Sequence, residues 1–324
     1  MALRVAENKL RFIGYVKEVD LEKVSEMNDQ GERIERIKGV IKIKVREDEV
    51  SLSVNVNRFT KSGTESKNYI KLEQLLTGEA PSLAKDPENP TTIKVFGNND
   101  FTPQIRENRY YNKNTKQAVA RLGFTLGFGT IVLDNSIPEE DHEASFSVEG
   151  FVKSVEPEVK IENGEEVETG RAVVDLLVPA YDSEATTVFP MRLVAGVVDD
   201  TDLGAEVLDG IENGESYNFQ GNIVNRKVVT ITKKKGIGRA KIEEKEEYIR
   251  EYSIVGGQNI DNESLIFDEE SIAKAFKERK INLENIEEEG KANDTGDSKN
   301  RQVGIKTNPN KTSGESKPRR TFDF

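Results

Sequence analysis

In "GVIKIKV" (Gly39 to Val45) and "VSLSVNVNRF" (Val50 to Phe59) apolar residues alternate with polar ones, the spacing of a strand that buries one face and wets the other. The acids of "REDEV" between the runs mark a tight hairpin, and "RFIGYVKEV", from Arg11, supplies an earlier strand. Next comes a helical pattern, "NYIKLEQLLTG", with Tyr69, Leu72, Leu75 and Leu76 on one face and Gly78 placed to end it. A Pro-rich loop, the strand "TTIKVFG" and a long strand from Val119 to Leu133, interrupted by Gly123, Gly127 and Gly129, complete the order.

The same order returns after the acidic connector "DNSIPEEDHEA": strands in "ASFSVEGFVKSVEPEV", "RAVVDLLVPAY" and "ATTVFPMRLVAG", a helical "GAEVLDGIENG", then two more strands. The halves share element order rather than residues. From Phe267 to Lys280 a helix is expected, with Ile272, Ala275, Phe276 and Arg279 at helical spacing. Beyond it the chain has too little apolar content to offset its ordering entropy, and a disordered tail is expected. Three strands, a helix and two strands is the order of an OB-fold, a small Greek-key barrel. The expected fold is therefore mainly β, with two OB-fold-like five-stranded barrels, a short C-terminal helix and a disordered C-terminal tail. Its expected boundaries are 1–135 for the first barrel, 136–144 for the linker, 145–258 for the second barrel, 259–283 for the helical segment and 284–324 for the tail.

A chain of 324 residues, 35% apolar, can bury a core in each half. It has no Cys and one His, which removes disulfides, thiolate nucleophiles and Cys-based zinc sites. His142 lies among the acids of "PEEDHEA", where one imidazole in a linker reads as a solvated connector, so no metal is expected. "KKKGIGRAK" lacks the Walker spacing and reads as a flexible basic loop, and no G-x-S-x-G nucleophile motif occurs. No enzyme and no cofactor are expected. The start of the chain has no signal-peptide run and no stretch approaches the ~20 apolar residues of a spanning helix. A cytoplasmic location and no membrane contact are expected.

The formal net charge is -12, so any binding to a polyanion must be local. Residues 1 to 133 carry 22 Lys plus Arg against 18 acids, and residues 134 to 324 carry 25 against 41. Two basic segments occupy the same slot, between the fourth and fifth strands of each half. The first, "PQIRENRYYNKNTKQAVAR", holds Arg106, Arg109, Lys113, Lys116 and Arg121 with Tyr110 and Tyr111. The second, Gln220 to Lys241, has no acid and holds Arg226, Lys227, Lys233, Lys234, Lys235, Arg239 and Lys241. Cations attract a phosphate backbone whatever the bases, and aromatic rings stack on unpaired bases for about 1 to 3 kcal/mol each. Phe59, Phe96 and Phe101 stand near the ends of the flanking strands. Lys on a hairpin also blocks edge pairing, and Tyr110 and Tyr111 are equally placed to cap a barrel.

"GESYNFQGNIVNRKVVTIT" followed by "YIREYSIV" resembles the fourth strand, loop and fifth strand of bacterial and phage single-stranded-DNA-binding proteins, with Gly221 at the family's mid-strand glycine. The sequence departs from that family in having no Trp, and its end, "RRTFDF", has Arg319 and Arg320 where the family's tail is acidic. The resemblance implies sequence-independent binding of single-stranded DNA in replication or recombination, of the phage type. It also implies a partner-binding tail at Phe322, Asp323 and Phe324. A virion or assembly protein and an RNA-binding accessory protein are the alternative readings.

Overall fold

The computed structural model describes residues 3–27, 31, 33–97, 103–162, 164–181, 186–234 and 241–294. The first half forms β1 (Asn8–Met27), β2 (Arg33–Val45), β3 (Asp48–Asn57), α1 (Lys67–Thr77), β4 (Thr92–Phe96), β5 (Gln104–Asn112), β6 (Gln117–Thr125) and β7 (Thr130–Leu133). Antiparallel ladders join β1 to β2, β2 to β3, β4 to β7 and β1 to β4, while β3 meets β6 in parallel at Leu52↔Phe124 and Ser53↔Thr125. That circuit closes a barrel whose fifth strand is broken into β6 and β7. The alternation in β3 is obeyed residue by residue: Val50, Leu52, Val54 and Val56 are buried, and Ser51, Ser53, Asn55 and Asn57 face water. Helix α1 starts where the Ser66 hydroxyl accepts from the Tyr69 amide and ends at Gly78, with Tyr69, Leu72 and Leu75 buried.

The second half repeats the plan. It comprises β8 (Glu143–Glu162), β9 (Glu165–Tyr181), β10 (Thr186–Ala195), a small bridge of β11 (Val197–Val198) with β12 (Thr201–Asp202), α2 (Leu203–Gly210), β13 (Ser216–Lys234) and β14 (Lys241–Asn259). The ladders β8–β9, β9–β10 and β13–β14, the parallel contact Val194↔Ser253 and the β13–β8 ladder close this barrel too. Gly221 has a steric reason: a Cβ there would stand 2.1 Å from the Ser253 carbonyl oxygen and 2.5 Å from the Phe146 ring.

The stretch read as a linker does not separate the barrels. Its end enters β8, which pairs with β1 from Ile13↔Glu143 to Asn8↔Val148, so one sheet runs through both halves. Edge-to-face contacts between Phe12 and Phe124, Phe124 and Tyr252, and Tyr252 and Phe146 join the two cores. His142 is buried at this joint against Tyr15, with neither ring nitrogen hydrogen-bonded, and burial pushes its pKa down.

Helix α3 (Glu269–Asp294) is longer than the sequence pattern implied. Residues 284–294, read as the start of the tail, are helical because they pack on the β5–β6 hairpin: Glu287 accepts from the Ala118 amide, Gly290 lies on the Tyr111 ring and Asp294 accepts from its hydroxyl. The tail beyond Asp294, including Phe322, Asp323 and Phe324, lies outside the described residues.

Candidate nucleic-acid interface

The basic stretch of the first half is a β-hairpin, paired from Gln104↔Thr125 to Asn112↔Gln117. Strand periodicity divides its side chains between two faces. Arg106 and Tyr110 on β5, with Arg121 opposite Asn108 on β6, are exposed. Arg109 and Tyr111 point the other way, beneath α3. Glu107, only 4% exposed, binds both Arg109 and Arg279, and Arg109 also donates to Thr187 and Asn282 at 3.3 Å. The Tyr111 ring contacts the α3 backbone so closely that a Cβ on Gly290 would fall 2.1 Å from its Cγ, and desolvation raises the phenol's pKa. Lys113 and Lys116 lie exposed in the turn. The seven residues thus divide into an outward set and a pair engaged by the helix.

The second basic segment belongs to the β13–β14 arm, whose register runs to Lys234↔Lys241. Being acid-free in sequence does not make it so in space, because its partner strand sets Glu246 and Glu247 opposite Val229 and Val228. Arg226 pairs with Glu47 at 3.0 Å and Lys227 with Glu246 at 2.6 Å. Lys233 and Lys234 are placed by their backbone pairing in β13, and Lys235 and Arg239 lie outside the described residues, as does Phe101.

A surface that the sequence reading did not single out lies on the outer face of β2 and β3. Opposite the exposed Ser51, Asn55 and Asn57 stand Lys42, Lys38 and Arg36, and Lys44 continues the row. This row was partly legible, since "KIK" is the wet half of the alternation. Acids of β1 flank it on the far side: Glu18 binds Lys42 at 2.7 Å, and Glu22 and Glu26 approach Lys38 and Arg36 at 3.5 to 3.8 Å. On the near side Glu49 faces Lys44, while the floor opposite Lys42, Lys38 and Arg36 is uncharged Ser and Asn, and the Ser53↔Thr125 pairing carries it toward Gly123 and Arg106 of the first hairpin.

At the far end of β3 this face runs into a cleft of about 530 Å³ bounded by Arg33, Glu35, Arg58, Phe59 and Lys61. Phe59 is 53% exposed, with the Arg58 guanidinium 5.3 Å from its ring centre. Hydrogen bonds that Arg58 donates to the Glu35 and Glu65 carboxylates hold it in its charged form, raising its pKa, and the Arg58–Glu35 bond depresses that of Glu35. "NRFTK" hints at the cation–ring combination in sequence, but Arg33 joins it only through the β2–β3 ladder, which sets Arg58 beside Glu35. Phe96 lies elsewhere, against Lys94. Among the described residues no group of acids and His is arranged to hold a metal, and no helix is long and apolar enough to cross a membrane.

The strand pairing defines a mainly β protein of two joined five-stranded barrels. A family model described as YorF matches residues 6–289, and the chain belongs to the YorF family. No curated protein matches it. Among solved structures it is similar to the wild-type single-stranded DNA binding protein from Thermus aquaticus, at 10% identity and a TM-score of 0.40 over 80% of this chain and 95% of that one. A deletion mutant of that protein gives a TM-score of 0.38 at 10% identity over 79% and 95%. The barrel assignment rests on the pairing within this chain.

Proposed function

We propose that the protein binds single-stranded DNA without sequence preference along the outer face of its first barrel. The observation that carries this reading is the row Arg36, Lys38 and Lys42 beside an uncharged Ser/Asn floor that ends on the half-exposed ring of Phe59, with Lys44 extending the row opposite Glu49. A flexible single strand needs cations for its phosphates and flat apolar faces for its bases, and this surface offers both. The β1 acids do not prevent it. Exposed ion pairs of this kind are worth about 0 to 1 kcal/mol, so a phosphate replaces a carboxylate partner at little cost. Arg106, Tyr110, Arg121, Lys113 and Lys116 extend the surface across the first hairpin.

The function is binding rather than catalysis. Coating single strands in replication or recombination, in the cytoplasm and in the phage-type role read from the sequence, belongs to the same proposal, as does contact with replication or recombination proteins through Phe322, Asp323 and Phe324. Fluorescence-anisotropy titration with labelled single-stranded DNA, duplex DNA and RNA tests it. Tightest binding to single-stranded DNA is expected. Preference for duplex, or no binding to any of the three, overturns the reading, and preference for RNA replaces its ligand.

A further inference from the structure

Phe128 is 91% exposed, more than any other large apolar side chain among the described residues. It stands on the bend that breaks the fifth strand between β6 and β7. A mobile loop tip would explain an exposed Phe, but this bend is pinned from every side. Leu126, before it, is fully buried and donates its amide to the Ser53 carbonyl at 2.9 Å. Gly127 takes a left-handed conformation, φ 52°. The Gly129 amide returns to the Leu126 carbonyl at 2.8 Å, and a Cβ on Gly129 would lie 2.9 Å from that oxygen and 3.0 Å from Pro103. The side chain of Asn68 spans the exit, donating to the Gly129 carbonyl at 2.7 Å and accepting from the Ile131 amide at 3.0 Å. Two glycines and an amide clamp therefore fix the backbone that presents one aromatic ring to water.

The first turn of α1 ties this ring to the Phe59 cleft. Ser66 donates its amide to the Arg58 carbonyl at 2.7 Å, and two residues later Asn68 grips the bend. Phe59 and Phe128 thus flank the start of one helix, at the same end of the barrel, with exposed Lys67 between their anchors.

We propose that Phe128 is a rigid stacking post for an unpaired base of the strand that passes through the Phe59 cleft; this rests on the single-stranded-DNA reading above. Holding the backbone beneath the ring in place beforehand removes the loop-ordering cost that a mobile segment would bear on binding. The chain contains no Trp, so Phe128→Trp creates a single indole reporter at the post. The test follows emission of that variant during titration with unlabelled oligo(dT), alongside anisotropy of a labelled oligo(dT) with the same variant. Quenching that saturates with the anisotropy curve is expected, together with an affinity loss of about tenfold for Phe128→Ala and a smaller one for Phe128→Leu.

Saturating anisotropy with unchanged indole emission overturns the post while leaving the DNA reading intact. No anisotropy change with wild-type protein removes both. If sedimentation shows wild type self-associating and Phe128→Ala monomeric, with DNA affinity unchanged, the ring is a contact between copies and the proposal is wrong.

Discussion

The β5–β6 and β13–β14 hairpins fill the same slot of two barrels built on one plan, yet their cations meet different company. On the first, the one acid, Glu107, is drawn under α3 with Arg109 and Arg279, which leaves Arg106, Tyr110 and Arg121 on an outward face free of acids from the hairpin itself. On the second, acids stand on the partner strand, and both Arg226 and Lys227 are in ion pairs. A basic run in sequence predicts a basic surface only when the strand it pairs with is not acidic.

The largest effect is expected where the first hairpin meets the helix. Arg279→Ala leaves Glu107 nearly buried with Arg109 alone, and losing one partner of such a cluster costs about 3 kcal/mol. Hydrogen exchange should show faster exchange in α3 and β5, while an unchanged exchange pattern would mean the helix is held by its apolar contacts alone. Next comes the outward face. Arg106→Ala with Arg121→Ala should weaken single-stranded DNA binding by about tenfold, in keeping with two lost phosphate contacts, and equal binding would take this hairpin out of the interface. For the second hairpin, Arg226→Ala with Lys227→Ala should change affinity by less than about twofold, since each exposed pair contributes little. A loss as large as in the first hairpin would erase the contrast.

How much of this was legible can be traced residue by residue. Alternation in "GVIKIKV" and "VSLSVNVNRF" is a direct image of one wet and one dry face, so the strands, their order and the barrels could be read. The fate of Arg109 and Tyr111 could not, because it depends on α3. The start of that helix packs through Ile272, Ala275 and Phe276, but it meets the hairpin through Arg279, Asn282, Glu287, Gly290 and Asp294, which are polar or small, so no apolar stripe announces this contact. The Arg33, Arg58 and Phe59 cleft was equally hidden, since it unites residues across a hairpin. Phe128 shows in sequence only through its flanking Gly127 and Gly129, as a strand interruption.

The smallest effect lies away from both hairpins, at the joint between the barrels. Burial lowers the His142 pKa below its ordinary 6.5, so the unfolded chain takes up a proton at pH values where the folded protein does not. Its contribution is complete above pH ~6.5 and is lost as pH falls through that value, levelling off below the depressed folded pKa. Thermal melts should therefore fall from pH 7 to 5.5, less steeply for His142→Phe. Parallel profiles would show that the ring does not titrate in this range.

The central claim, that the outer face of the first barrel holds the phosphates, is tested most directly by the slope of log affinity against log salt for oligo(dT). Comparing wild type with the Arg36, Lys38, Lys42 and Lys44 to Ala variant should show the slope shallower by about 0.7 for each lost contact. Identical slopes with measurable binding would place the DNA elsewhere and contradict the account.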